Sequence, residues 1–192
     1  MGAIISETGV KIGENTVIES GAIVKSGSII GSNCIIRSGA VIASEGFEVK
    51  NDGDENFLIH HDGAAIVGNH VSVGSNTSVD RGFYSRDTII ADYCRIDSLV
   101  KISHGVKIGR KSLVVSNTYL AGMAQVGEEA YLGPQSTIGH VKIGDKAFVT
   151  MGSVVINNVG KGKRVSGNFA LDHNMTMDIL RNNMTQSIKK GK

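Results

Sequence analysis

The sequence predicts an all-β solenoid: a parallel β-helix of about seven triangular coils, interrupted by one long loop and followed by a C-terminal α-helix. Three observations lead there. Aliphatic residues recur every six positions, small residues stand four positions after most of them, and Gly, Asn and Asp gather between, where a chain turns. The composition agrees. With 25 Gly, one Pro, no Trp and 5% aromatic residues, the core is expected to be assembled from many small equivalent units.

Taken in order, the aliphatic column runs Ile12, Ile18, Val24, Ile30, Ile36 and Ile42, and resumes at Val67, Val73 and Val79. A third run covers Ile90, Ile96, Ile102, Ile108, Val114, Leu120, Val126, Leu132 and Ile138, and the last is Ile143, Val149 and Val155. Neither a helix of period 3.6 nor a strand of period 2 sustains a six-residue beat over 21 units. A short strand and a corner do, and three such units close one 18-residue coil, rising about 4.8 Å per coil. Thr16, Ala22, Ser28, Cys34 and Ala40, and later Ser112, Thr118, Ala124, Ala130 and Ser136, fill the places where corners pinch inward.

Residues 1–156 are therefore read as the solenoid, with a loop inserted at 44–65 and a five-residue insertion between Val79 and Ile90. Insertions in solenoids map to loops, often on a binding face. Residues 157–192 read as a basic connecting loop and a helix, capped by Asp172, whose apolar residues Met177, Leu180, Met184 and Ile188 need a surface to dock on.

The net charge of +2 is uneven: residues 157–192 carry seven Lys or Arg against two Asp, which suits a polyanionic partner. Cys34 and Cys94 show no disulfide or metal spacing and fall in the small-residue column, so they are expected as core filler. No apolar run has the length of a membrane span and no signal peptide is recognisable, so a soluble, cytoplasmic setting is expected.

Six histidines are present, of which His60, His61, His70 and His173 are expected to be solvated or locally hydrogen-bonded. His104 and His140 differ. Each stands two residues after its aliphatic residue, and they are 36 residues apart, two whole coils. They share one column, separated by roughly 9–10 Å, with Gly122 between them. Bare backbone flanked by two imidazoles allows two chemistries. Zinc is one, but a third ligand, expected by analogy with hexapeptide-repeat carbonic anhydrases, is absent: the matching positions hold Gly109 and Asp145. Acyl transfer is the other. A neutral imidazole takes a proton from an attacking amine or hydroxyl, and the Gly122 N–H stabilises the oxyanion. Asp97, one hexad before His104, is the candidate to orient it. An ice-binding or purely structural solenoid would want a flat array of stacked Thr; Thr16, Thr77, Thr118, Thr137 and Thr150 do not form one.

The stretches VSVGSNTSVDRG, IDSLVKISHGVKIG, LAG at 120–122 and IGHVKIGDK, with GFEVKNDG in the loop and VSGN near the end, resemble the solenoid of UDP-3-O-acylglucosamine N-acyltransferases over roughly residues 40–170. The resemblance implies a left-handed β-helix and a homotrimer with sites in the grooves between subunits. It implies His104 as general base, Asp97 as its partner and Gly122 as oxyanion donor, with His140 contacting donor or acceptor. Ser98, Asn168, Lys163 and Arg164 are the further expected substrate or donor contacts. No counterpart of that family's N-terminal uridine-binding domain is seen in the sequence. The length is closer to shorter relatives that N-acylate nucleotide-linked amino sugars. No bound cofactor, metal or nucleic acid is expected. Acyl-CoA or acyl carrier protein would be the co-substrate.

Overall fold

The computed structural model describes residues 2–167 and 171–190, with side chains described up to residue 183. The solenoid is built from three parallel sheets, two of eight strands and one of seven, in which each strand pairs with its equivalent in the coils before and after. Its fold is the left-handed parallel β-helix expected from the sequence. Most strands are only two or three residues long, because each coil must turn three times in 18 residues.

The register states the repeat directly. In one sheet Val79 pairs with Ile102, Ile102 with Leu120, and Leu120 with Ile138. All four side chains are buried at 1% exposure or less and stack into a single apolar ladder. The small column is buried as well, Ala22, Cys34, Ala40, Ala124 and Ser136 being fully enclosed. Cys94 is enclosed too, and burial pushes its thiol up to about 11, which leaves it inert filler. Corners place Asn15, Asn33, Asn76 and Asn117 at φ between 56° and 59°, the left-handed conformation that Asn tolerates best after Gly.

The long insertion is structured. Val49–Asn51 and Asn56–Leu58 pair antiparallel as a small hairpin, and Ala65–Val67 rejoins the sheet between Ser28–Ile30 and Thr88–Ile90. The solenoid also continues past residue 156. Val159 is buried and bridges to Ile143, and Arg164–Val165 adds a strand beside Phe148–Val149. The step from Val155 to Val159 is four residues, and this slip hid the added strand; Val159 and Val165 keep the six-residue spacing. The helix runs His173–Lys190, and the Asp172 carboxylate accepts from the Asn174 and Met175 amides at its start. Leu171, Met175, Ile179 and Leu180 stay exposed at 42–56%. Met184 and Ile188 lie outside the described side chains. Among the described residues no helix is long and apolar enough to cross a membrane.

Candidate active site

His104 stands at the corner after strand Lys101–Ile102, two residues past Ile102, and the ladder register puts Gly122 and His140 in the same column one and two coils on. The expected column is thus formed. Gly122 lies against the imidazole so closely that a Cβ there would meet His104 Cε1 at 2.6 Å and Nε2 at 2.7 Å. The Gly122 N–H has no acceptor among the described residues, so it is free to donate to a ligand.

These two residues open into a cavity of about 400 Å³ lined by Glu45, Gly46, Phe47, Asp80, Lys101, Ser103, His104, Tyr119 and Gly122. Most of its wall comes from three sources: the ladder sheet, the start of the long loop and the corners. A β-bulge between Val79 and Asp80 turns Asp80 toward Ser44. The Asp80 carboxylate is 2% exposed and accepts from Ser44 Oγ at 2.5 Å and from the Lys101 ammonium. A buried carboxylate persists only when paired in this way.

The His104 side chain is 12% exposed, and Glu48 Oε2 on the inserted hairpin lies 3.8 Å from its Nε2. Burial, then the neighbouring His61, lower its pKa below the ordinary 6.5; Glu48 and Asp80 oppose this and Lys101 adds to it. His104 is therefore neutral at pH 7, the state a general base needs. Phe83, from the short second insertion, packs edge-on against it with centroids 4.7 Å apart.

The structure brings His104 and Gly122 together but not Asp97. Asp97 follows strand Arg95–Ile96, which belongs to a different sheet, so it occupies another corner of the prism. Its carboxylate accepts from the Ser116 hydroxyl and from the Ser98 amide at 2.7 Å, and these bonds, the first above all, hold its pKa below the usual value. Within one chain Asp97 does not orient His104. Asp97 and Ser98 instead line a separate cavity of about 360 Å³ with Arg37 and Arg95. His140 is exposed and lines a third, of about 260 Å³, with Arg86, Lys107 and Gln125. Lys163 is exposed, and the Arg164 guanidinium lies over the Phe148 ring at 4.8 Å, away from the His104 cavity. Asn168 lies outside the described residues. At the third zinc position, Asp145 accepts from the Glu128 amide at 3.0 Å and lies 3.7 Å from Lys161 Nζ.

Sequence reasoning missed Glu48, His61, Asp80 and Lys101. Asp80 carried a usable signal: in the next three coils the same position, one residue after the ladder, holds Ser103, Ala121 and Gly139, so a carboxylate is out of place there. His61 carried none, since the loop has no register to count from.

Comparison with known proteins finds the same repeat elsewhere. Residues 9–44 match the bacterial transferase hexapeptide model (six repeats), and residues 124–156 match the hexapeptide repeat of succinyl-transferase. The UDP-3-O-acylglucosamine N-acyltransferase of Campylobacter curvus is 37% identical over 118 residues, covering 61% of this chain and 37% of that protein. That of Rickettsia akari is 46% identical over 85 residues, covering 44% and 24%. The chain carries hexapeptide repeats homologous to those N-acyltransferases. It spans between 24% and 37% of the length of these two relatives. Two solved structures share the fold. The UDP-N-acetylglucosamine acyltransferase of Francisella novicida superposes with a TM-score of 0.75 at 19% identity, covering 86% of this chain and 65% of its own. That of Campylobacter jejuni gives 0.69 at 23%, covering 87% and 70%.

Proposed function

We propose that this chain is an N-acyltransferase. It moves an acetyl or short hydroxyacyl group from a coenzyme A or acyl carrier protein thioester to the amine of a nucleotide-linked amino sugar, in surface polysaccharide or lipopolysaccharide synthesis. The observation that carries the reading is the largely buried His104 imidazole lying against Gly122, whose N–H has no acceptor among the described residues, at the wall of one cavity. The amine nitrogen attacks the thioester carbonyl carbon while His104 Nε2 takes its proton. The Gly122 N–H donates to the oxyanion. Collapse re-forms the carbonyl, breaks the carbon–sulfur bond and releases the thiolate, which His104 reprotonates. The homologous relatives, named for N-acylation of an acylglucosamine, support the choice of acceptor.

The assembly in this reading is a homotrimer. Asp97 and His104 stand at the two corners that flank the ladder sheet, so a three-fold assembly packed through that face would bring the Asp97 corner of one copy beside the His104 corner of the next. The exposed apolar residues of the terminal helix would find their cover in the same assembly.

The test is thioester turnover by wild type and His104→Ala against a panel of nucleotide amino sugars, with acetyl-CoA and hydroxyacyl donors, and metal content assayed on the same samples. Amide product that disappears in the variant supports the reading. No turnover with any pair, together with stoichiometric zinc, overturns it in favour of a metal-dependent carbonic anhydrase relative. Ester product would reassign it to O-acylation.

A further inference from the structure

The long loop delivers a second imidazole behind the first. His61 is fully buried, its backbone N–H donates to Glu45 Oε1 at 2.8 Å, and its ring packs against both Phe83 (centroids 4.9 Å) and His104 (5.3 Å, interplanar angle 65°). Its Nδ1 is 3.0 Å from the Ile59 carbonyl oxygen. A carbonyl only accepts, so Nδ1 carries the proton, and in the neutral ring Nε2 is left as a bare acceptor. That Nε2 is buried and without a partner, and among the described residues the other buried side-chain polar atom in the same condition is His104 Nδ1. Unpaired buried polar atoms are costly. These two sit in one cluster, walled by the Phe83 ring and by Gly46, where an added Cβ would lie 2.4 Å from His61 Nε2.

The two needs are complementary. If His104 Nδ1 carries its proton, the donor and the acceptor match, and His104 Nε2 keeps its lone pair for the cavity. The two rings are in edge contact, with centroids 5.3 Å apart, while their nitrogens are unpaired in this structure, so the bond requires a turn of the rings that brings Nδ1 of one to Nε2 of the other. Hydrogen bonds of a catalytic base are often open without substrate and close on binding. We propose that His61 is a positioning residue for His104: its Nε2 accepts the His104 Nδ1–H and so holds His104 in the tautomer whose Nε2 is the base. The charged groups that also face His104 are Glu48 from the hairpin, and Asp80 and Lys101 from the ladder sheet. None of these is placed to receive Nδ1–H, since Glu48 lies toward Nε2 and Asp80 and Lys101 satisfy each other, and an Asp97 carboxylate arriving from a neighbouring copy would meet an Nδ1 already enclosed within its own chain. The role rests on the acyltransfer reading for its purpose, but its physical content is a tautomer, which is measurable without any substrate.

The experiment is nitrogen-15 NMR of the imidazoles in the full chain, wild type against His61→Leu, His61→Gln and Gly46→Ala, each checked for wild-type-like circular dichroism. Wild-type His104 is expected with its proton on Nδ1. His61→Leu removes the acceptor and shifts His104 to the Nε2–H tautomer that a free imidazole side chain prefers. His61→Gln retains an acceptor oxygen and restores the Nδ1–H form. Gly46→Ala is the guard against misfolding of His61→Leu. Its backbone is outside the left-handed region, and the added Cβ would lie 2.4 Å from His61 Nε2, so it pushes that ring away without deleting it; its expected shift is the same as that of His61→Leu. An Nε2–H tautomer in wild type overturns the proposal, as does an unchanged His104 tautomer in the folded His61→Leu or Gly46→Ala protein. In kinetics, kcat falls about 10- to 100-fold in His61→Leu while KM holds. Loss of all turnover in wild type would instead strike the function reading and leave the tautomer result to decide the role of His61.

Discussion

Gly122→Ala tests whether the pose of His104 against bare backbone is the working one. An added Cβ would lie 2.6 Å from His104 Cε1, 2.7 Å from Nε2 and 3.2 Å from Nδ1. Carbon contacts settle near 3.5–4.0 Å, so the ring must retreat by about 1 Å. Gly122 is outside the left-handed φ region, so the backbone accepts Ala without strain. The unfolded chain loses entropy, which favours the variant by about 0.4–1 kcal/mol and partly offsets the local crowding. Stability should therefore hardly move. Activity should: misplacing a catalytic group by about 1 Å costs about 10²-fold, or about 2.7 kcal/mol of transition-state stabilisation. The assay is steady-state amide formation beside a thermal melt of the same samples. A variant with wild-type kcat and unchanged Tm would refute the reasoning, because the imidazole would then not need the space that Gly122 leaves.

Other expectations follow from the same geometry. Glu48 raises the His104 pKa, so Glu48→Gln should move the acid limb of the pH–rate profile to lower pH; an upward shift in that limb would show that the hairpin carboxylate does not face the base. Because Asp80 is buried and Lys101 is 39% exposed, the pair should be asymmetric. Lys101→Met leaves a buried carboxylate unpaired and should cost about 3–5 kcal/mol, whereas Asp80→Asn should cost about 1–3 kcal/mol, both read by urea unfolding. Leu120→Ala removes the middle of the apolar ladder and should cost about 2–5 kcal/mol in the same assay, with less than that counting against the stacked core. The lowered pKa of His104 also sets a stability trend. Below pH 6.5 the unfolded chain binds a proton that the folded one resists, so Tm should fall on acidification, and less steeply in His104→Gln.

Much of this was legible because the solenoid repeats locally. Once Ile102, Leu120 and Ile138 are 18 residues apart, the column of His104, Gly122 and His140 follows by counting, and the pairing register bears it out. Counting also shows its limits. Asp97 is one hexad from His104, yet one hexad is one corner, so closeness in sequence became separation across a face of the prism. His61 and Glu48 reach the site from an insertion, where no period fixes which side chains turn inward. The last strand was lost to a phase slip between Val155 and Val159, although both are buried in the same core. Asp80 was legible in principle, as a charge where the next three coils hold small residues, but only once the bulge beside it explains how it can be turned and paired.

The central claim is that neutral His104 is the base for acyl transfer, and the pH dependence of kcat/KM for amide formation tests it most directly. The account predicts an acid limb that inflects below 6.5, the ordinary histidine value, because burial and His61 disfavour the protonated ring. Activity is full above that inflection and lost as pH falls through it, and His104→Ala should abolish the limb along with most of the rate. A wild-type limb at or above 6.5, or a His104→Ala protein that keeps the wild-type rate and profile, would contradict it.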